Sequence, residues 1–282
     1  MNPQFSIIVP AYNAADTIVA CLESVRVQQG SWECVVVDDG STDDTASRVR
    51  DTIAGDDRFR LIQRENGGTG AALNTGIAAS AAPWLASLGA DDVYLPEFLT
   101  VITRLMDEAP GYSMYTSNGW QVYPDGRRQL YNADPRFRRR TTITLLDQIA
   151  APSVFGCVVY ARDLYTAIGG YRPQYYAEDY DLWLRMLAAG GDCIATPEPL
   201  AAAPISATQK SADHIKSRQS DLASIADLIA TTKLTPEQLD AAIARHDALQ
   251  RNIRTRQRLY RMLGRNATEH LLALRRRIRA PR

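Results

Sequence analysis

The sequence predicts an α/β fold, a mostly parallel central sheet flanked by helices, with a helical extension at the carboxyl end. Three observations point there. Apolar runs and amphipathic stretches alternate in units of about 25–30 residues, the rhythm of parallel strands joined by right-handed crossovers. The run Glu33–Val37 is apolar without alternation, as in strands covered on both faces. Turns rich in carboxylates close these runs, at the edge where open α/β sheets bind their ligands.

Taken in order, Phe5–Pro10 reads as the first strand. Asp16 to Gln28 reads as a helix, with Asp16 as its N-cap and Ile18, Leu22 and Val25 on one face. The strand Glu33–Val37 runs into Asp38-Asp39-Gly40-Ser41, where Ser41 and Asp44 resemble a capping box for a helix reaching about Ala54. Phe59–Gln63 is a third strand. The glycine-rich Asn66–Gly70 leads into a helix ending near Ala79, and Trp84–Leu88 is a short buried strand. A helix follows from Pro96 to about Glu108, with proline in its first turn. The first ~100 residues are therefore a Rossmann-like, nucleotide-binding half.

Beyond it the pattern changes. Tyr112–Ser117 and Gly119–Tyr123 read as short aromatic strands, and Pro124-Asp125-Gly126 as a turn. Residues 132–142 read as a mobile polar loop, and Val154–Tyr160 as another strand. A short helix stops at Gly169-Gly170, a second runs from Tyr175 to about Ala189, and Cys193–Thr196 is strand-like. From Asp213 onward the chain reads as helical. Thr235-Pro-Glu-Gln238 is a strong helix start, and Leu249, Ile253, Tyr260 and Leu263 form an apolar stripe among arginines.

Composition narrows the class. A chain of 282 residues, 45% apolar and 23% charged, buries a real core. Cys21, Cys34, Cys157 and Cys193 form no CxxC pair, which predicts reduced structural thiols rather than disulfides or zinc. The strand pattern begins at Phe5, leaving no room for a leader, and no apolar run approaches the roughly 20 residues that span a bilayer. The expectation is a cytoplasmic protein. From Arg245 onward there are 12 Arg and two acids, against 20 Lys+Arg and 30 Asp+Glu before it, so an acidic body carries a basic tail. The Asn66–Gly76 glycines lack the Gly-Lys-Ser/Thr of a Walker A loop and do not follow the first strand as a dinucleotide fingerprint should, which argues against hydride transfer.

Four features fall at loops leaving the sheet edge: Pro10-Ala11-Tyr12-Asn13, Asp38-Asp39, Asp91-Asp92 and Glu178-Asp179. Each alone could be a turn, a cap or a dipole complement. Together they make a coherent site. A Mg²⁺ or Mn²⁺ ion bound with a nucleotide needs only one or two protein carboxylates, because the phosphates supply the other oxygens; Asp91-Asp92 suits that. Asp38-Asp39 stands where open-sheet proteins accept hydrogen bonds from a ribose or base. Glu178-Asp179 offers a carboxylate able to take a proton from an attacking hydroxyl.

Ser6-Ile-Ile-Val-Pro-Ala-Tyr-Asn13, Val36-Val-Asp-Asp-Gly-Ser-Thr42, Gly89-Ala-Asp-Asp92 with Pro96, Gly169-Gly-Tyr171 and Glu178-Asp-Tyr-Asp-Leu-Trp-Leu-Arg185 resemble, in this order, a family 2 glycosyltransferase of the GT-A fold. The resemblance covers about residues 5–200 and implies an inverting transferase dependent on a nucleotide sugar. It implies donor contacts from Pro10, Ala11, Tyr12, Asn13, Asp39 and Asp91. It implies a divalent cation, Mg²⁺ or Mn²⁺, on Asp91 and Asp92, and Asp179 as the catalytic base. Glu178, Gly169, Gly170 and Tyr171 fall on the acceptor side. Gly89 stands where many members carry another aspartate, so Asp91 and Asp92 divide its role.

On this reading residues 1–110 form the nucleotide-sugar-binding half, 111–212 the acceptor-binding and catalytic-base half, and 213–282 the basic helical extension. The expected reaction moves a sugar, most readily a UDP-linked one, to a hydroxyl of a glycan or lipid-linked saccharide. Transfer to a polyprenyl phosphate, and a non-catalytic nucleotide-sugar-binding module, stay open as alternatives. The basic extension suggests peripheral contact with an anionic membrane at its inner face, or homo-oligomerisation through the apolar stripe. Nucleic acid is not expected as a partner, since no known basic and aromatic module is present.

Overall fold

The computed structural model describes residues 2–205, 210–265, 267–269 and 272. One sheet organises them. Its strands are β1 (Phe5–Ala11), β2 (Trp32–Asp38), β3 (Phe59–Gln63), β4 (Trp84–Ser87), β5 (Val93–Tyr94), β6 (Met114–Val122), β7 (Arg128–Leu130), β8 (Thr141–Ile143), β9 (Val158–Ala161) and β10 (Cys193–Pro204). The order is β3-β2-β1-β4-β9-β6-β10-β5, with β7 paired to β6 and β8 to β10. The pairings among β3, β2, β1 and β4 are all parallel, as the strand–helix rhythm requires. β9 then enters antiparallel to both β4 and β6, so the sheet as a whole is mixed.

The helices are α1 (Ile18–Arg26), α2 (Thr45–Ile53), α3 (Thr69–Ala78), α4 (Phe98–Glu108), α5 (Leu145–Ala150), α6 (Arg162–Ala167), α7 (Glu178–Ala188), α8 (His214–Thr231) and α9 (Pro236–Leu263). α1 buries Ile18, Cys21, Leu22 and Val25, a stripe at the helical repeat. α3 lies tight on the sheet because Gly76 faces Ile8 and Val37, where a Cβ would come within 2.5 Å of Ile8 Cγ2.

Two apolar layers result, one per sheet face. In β1, Ile8 joins one layer while Phe5, Ile7 and Val9 join the other; in β2, Val35 and Val37 part from Cys34 and Val36 in the same way. The layers cross the expected boundaries at residues 110 and 212. The layer holding Ile8 also takes Ile225 and Leu228 of α8 and Ala242 and Leu249 of α9.

Several local expectations need correction. Asp16 is not the cap of α1, whose N-cap is Thr17. Ser41 and Asp44 form no capping box: α2 follows Asp44 without a side-chain cap, and the Ser41 hydroxyl accepts from the Asn13 backbone N–H instead. The two aromatic strands after Tyr112 are the single strand β6. The segment 132–142 is built rather than loose, with a 3₁₀ turn at Pro135–Arg138, Phe137 buried, and β8 beginning at Thr141. The strand expected from Val154 starts at Val158, and the piece at Cys193 extends to Pro204. The box at Thr235 and Gln238 is present on α9. Along α9, Leu249 and Ile253 are buried, but Leu263 is exposed. The last arginines of the basic run, Arg275, Arg276, Arg277, Arg279 and Arg282, lie outside the described residues.

Candidate active site

The loops at the carboxyl ends of β1, β2 and β4 meet α7, and two cavities open between them. The first, about 390 Å³, is lined by Pro10, Ala11, Tyr12 and Asp39 together with Asn66, Thr69, Gly70, Tyr175, Tyr176 and Lys210 among others. Tyr12 stands on its rim, 53% exposed, an aromatic face open to a planar ligand. The second, also about 390 Å³, brings Asp91, Asp92, Glu178 and Asp179 together. Tyr176 and Lys210 line both and mark their junction.

Each wall has a local cause. Asn13 takes a positive φ of 49°, tolerated by its short polar side chain, whose Oδ1 accepts from the Thr42 N–H at 2.9 Å. That bond ties the first loop to the second, so Asn13 shapes the wall without lining the cavity. Asp39 is 3% exposed, and its carboxylate accepts from Gly67 N–H at 3.0 Å, Gly68 N–H at 2.7 Å and Arg64 Nη1 at 2.5 Å. It therefore seats the glycine-rich loop that forms the opposite wall.

Asp91 and Asp92 sit on the turn between β4 and β5. Gly89 lies beneath them: a Cβ there would stand 2.9 Å from Asp91 Oδ1 and 3.0 Å from Asp92 Oδ2. The two carboxylates fold back over the space that a side chain at 89 would fill. Burial, with the neighbouring Asp91, pushes the Asp92 carboxyl up to about 8. Behind them Cys21 and Cys157 are free and fully buried, as structural thiols are. Among the described residues no group of three or more His, Cys, Asp or Glu side chains is placed to hold a metal by itself.

α7 begins at Glu178. Burial raises the Glu178 carboxyl, and a hydrogen-bonded pair with Lys210 Nζ pulls it back. Lys210 also donates to Thr69 Oγ1 at 3.2 Å, linking α3 to α7 across the cleft. Asp179, by contrast, is exposed to the second cavity. The helix is fixed from below: buried Asp181 accepts from Arg172 and Arg185, and Arg185 donates to the carbonyls of Ile168 and Gly170 at 3.0 and 2.7 Å.

Gly169, Gly170 and Tyr171 line neither cavity. Gly169 and Gly170 take positive φ values of 80° and 72° to turn the chain. Tyr171 is 2% exposed, with its hydroxyl 3.2 Å from that of Tyr160. Asn74 clamps this turn, accepting from the Tyr171 N–H at 3.0 Å and donating to its carbonyl at 2.9 Å. The Gly169-Gly-Tyr171 motif thus supports α7 from behind.

Sequence reasoning missed Lys210, Tyr176 and Asn74. A signal for Lys210 exists: the chain has only three lysines, at 210, 216 and 233, among its 32 Lys and Arg. It is a flexible point charge in a chain where arginine is otherwise the rule.

Among the described residues no helix is long and apolar enough to cross a membrane. The model of glycosyl transferase family 2 matches residues 6–169. The succinoglycan biosynthesis protein ExoO of Rhizobium meliloti is 33% identical over 214 residues, 69% of this chain and 59% of that protein. The chain spans between a fifth and three fifths of the length of the first curated relatives it matches. Among solved structures, S. aureus TarS 1-349 in complex with UDP-GlcNAc superposes with a TM-score of 0.71 at 20% identity, covering 88% of this chain and 73% of that one. The mannosyltransferase PcManGT of Pyrobaculum calidifontis, in complex with GDP-Man and Mn²⁺, superposes at 0.68 and 21% identity, over 99% and 81%. Those likenesses establish the fold, and the family model establishes the membership: the chain belongs to glycosyl transferase family 2 and has its GT-A fold.

Proposed function

We propose that this protein transfers a sugar from a nucleotide sugar, most readily a UDP-sugar, to a hydroxyl of a saccharide acceptor, with inversion at the anomeric carbon. The carrying observation is that one cavity gathers Asp91, Asp92 and Asp179, while the adjoining one presents Tyr12 and the glycine-rich loop. The nucleoside lies in the first cavity against Tyr12, and the diphosphate reaches toward the junction at Lys210. The acceptor hydroxyl approaches in the second. Its oxygen attacks the anomeric carbon, the bond from that carbon to the phosphate oxygen breaks, and the hydroxyl proton passes to Asp179. The nucleoside diphosphate departs with the bonding electrons.

The residues fit a divalent cation. Asp91 and Asp92 are adjacent and partly buried, and a cation would offset the cost of ionising both. Mg²⁺ or Mn²⁺ held there would neutralise charge on the departing diphosphate. A complex of a structural neighbour with GDP-Man and Mn²⁺ supports this, as a UDP-GlcNAc complex of another supports the donor class. Relatives that include a succinoglycan biosynthesis protein support a polysaccharide or lipid-linked saccharide as acceptor. Arg251, Arg254, Arg258 and Arg261 form an exposed basic row on α9, which favours an anionic membrane surface as neighbour.

Replacing Asp179 with Asn tests the base. Transfer should fall by about 10²–10⁴-fold while thermal stabilisation by the nucleotide sugar persists. Retained turnover would show that another group takes the proton.

A further inference from the structure

One wall of the first cavity carries Tyr175 and Tyr176. A further hollow lies between the same two tyrosines and α8, where Gln219, Ser220 and Ala223 line it. With open space on either side, packing alone does not hold this wall, and polar contacts take its place. Tyr175 is fixed by three of them. Its hydroxyl donates to Asp227 Oδ2 on α8. The Arg172 guanidinium covers one face of its ring, 4.4 Å from the centroid. Its backbone N–H donates to the Arg172 carbonyl at 3.1 Å.

The same carboxylate oxygen of Asp227 also accepts from Arg172 Nη1 at 2.9 Å, so one atom on α8 holds both the hydroxyl and the cation on the ring. Arg172 is anchored in turn on α7. Its Nε donates to buried Asp181 at 3.0 Å, and its Nη2 to the other oxygen of that carboxylate. The Arg172–Asp227 pair is 27% and 43% exposed at its two side chains, and a pair so wet adds little to stability. What it does is order an aromatic side chain at the cavity before a ligand arrives, which spares the ligand the cost of ordering it. Arg172, Tyr175 and Asp227 all lie outside residues 6–169, the part matched by the family model.

We propose that Tyr175 contacts the donor nucleotide and that Asp227 is its positioning residue, so that α8 shapes the nucleotide cavity through a single carboxylate. The inference rests on the nucleotide-sugar reading, to which it adds a contact and a part for the helical extension in donor binding.

Titration calorimetry of the full chain with UDP and with GDP, each with Mg²⁺, tests it on whichever nucleotide binds the wild type. Tyr175→Ala should weaken binding about tenfold, as loss of an aromatic face against a base does. Tyr175→Phe keeps the ring and loses the hydroxyl, and Asp227→Ala removes the partner of that hydroxyl; each should weaken binding about threefold. Combined, they should still lose about threefold rather than the roughly ninefold of independent effects. The melting temperature of Asp227→Ala should stay within about 2 °C of wild type, a split between binding and stability that a merely structural role does not give. Unchanged binding in Tyr175→Ala overturns the contact. A roughly ninefold loss in the double variant, or a fall in the melting temperature of Asp227→Ala beyond about 2 °C alongside its loss of affinity, overturns the positioning role. If neither nucleotide binds the wild type, it is the nucleotide-sugar reading that fails.

Discussion

Asp39 is the residue whose replacement separates two roles, contact with a nucleoside and seating of a loop. Its carboxylate is 3% exposed and takes hydrogen bonds from Gly67 N–H, Gly68 N–H and Arg64. In Asp39→Ala, two backbone donors lose their acceptor, at about 1–3 kcal/mol each. Arg64, 27% exposed, regains water and adds little. The expected loss is therefore about 2–4 kcal/mol. At roughly 2–4 °C per kcal/mol, the melting temperature should fall by on the order of 10 °C. Asp39→Asn keeps the shape and one acceptor oxygen, so it should lose about half as much. Urea unfolding measures this directly, and nucleotide-induced stabilisation should decline with it, because the loop is a cavity wall. An Asp39→Ala protein within about 0.5 kcal/mol of wild type would refute the loop-seating argument. A stable variant that no longer binds nucleotide would leave direct contact as the sole role.

Three further outcomes are expected. With its carboxyl near 8 in place of an ordinary value near 3.8, Asp92 is protonated at neutral pH, and the stability this gives the metal-free protein is lost as pH rises toward 8. Since a cation needs the ionised form, Mg²⁺ affinity measured by titration calorimetry should climb between pH 6 and 8, by up to about tenfold per unit, and then level. A flat profile would contradict it. Gly76→Ala should destabilise by about 1–2 kcal/mol in urea, because the collision with Ile8 and Val37 exceeds the ~1 kcal/mol gain in helix propensity; a more stable variant would show that α3 can move off the sheet. Lys210→Gln should weaken nucleotide-sugar binding by about tenfold or more, as loss of a charge-assisted hydrogen bond does. Unchanged binding in equilibrium dialysis would place Lys210 on Glu178 alone.

What the sequence disclosed follows from how locally each feature is determined. β1, β2 and β3 are apolar runs ended by turn residues, and α1 shows its buried face at a 3.6-residue repeat, so both were legible. β10 was not: its Thr196-Pro-Glu-Pro199 register shifts and alanines carry little strand signal, and only pairing with β6 makes it one strand. Ser41 misled for a related reason. Its hydroxyl serves a residue 28 positions away rather than the helix beside it. Of the site, Asp91, Asp92, Glu178 and Asp179 were found because acidic pairs at strand ends are conspicuous, and they do meet in one cavity. Gly169, Gly170 and Tyr171 were conspicuous too, yet their work is the turn behind α7, where Asn74 and Arg185 hold the backbone.

The sharing of one apolar layer by Ile8 and Leu249 has a consequence for how the protein comes into being. During synthesis the parallel strands are complete long before α9 leaves the ribosome, so α5 and α7 wait for the helices that pack against them. Until they dock, Ile149, Tyr180 and Leu187 have water where Ile225, Leu228 and Leu249 belong. The nascent chain therefore passes through a stage in which the parallel strands are formed while part of this apolar layer is exposed to chaperones, proteases and other copies. A chain cut near residue 212 would be held at that stage permanently. The last two helices are in this sense the closing step of assembly, and α5 and α7 are covered only when they arrive.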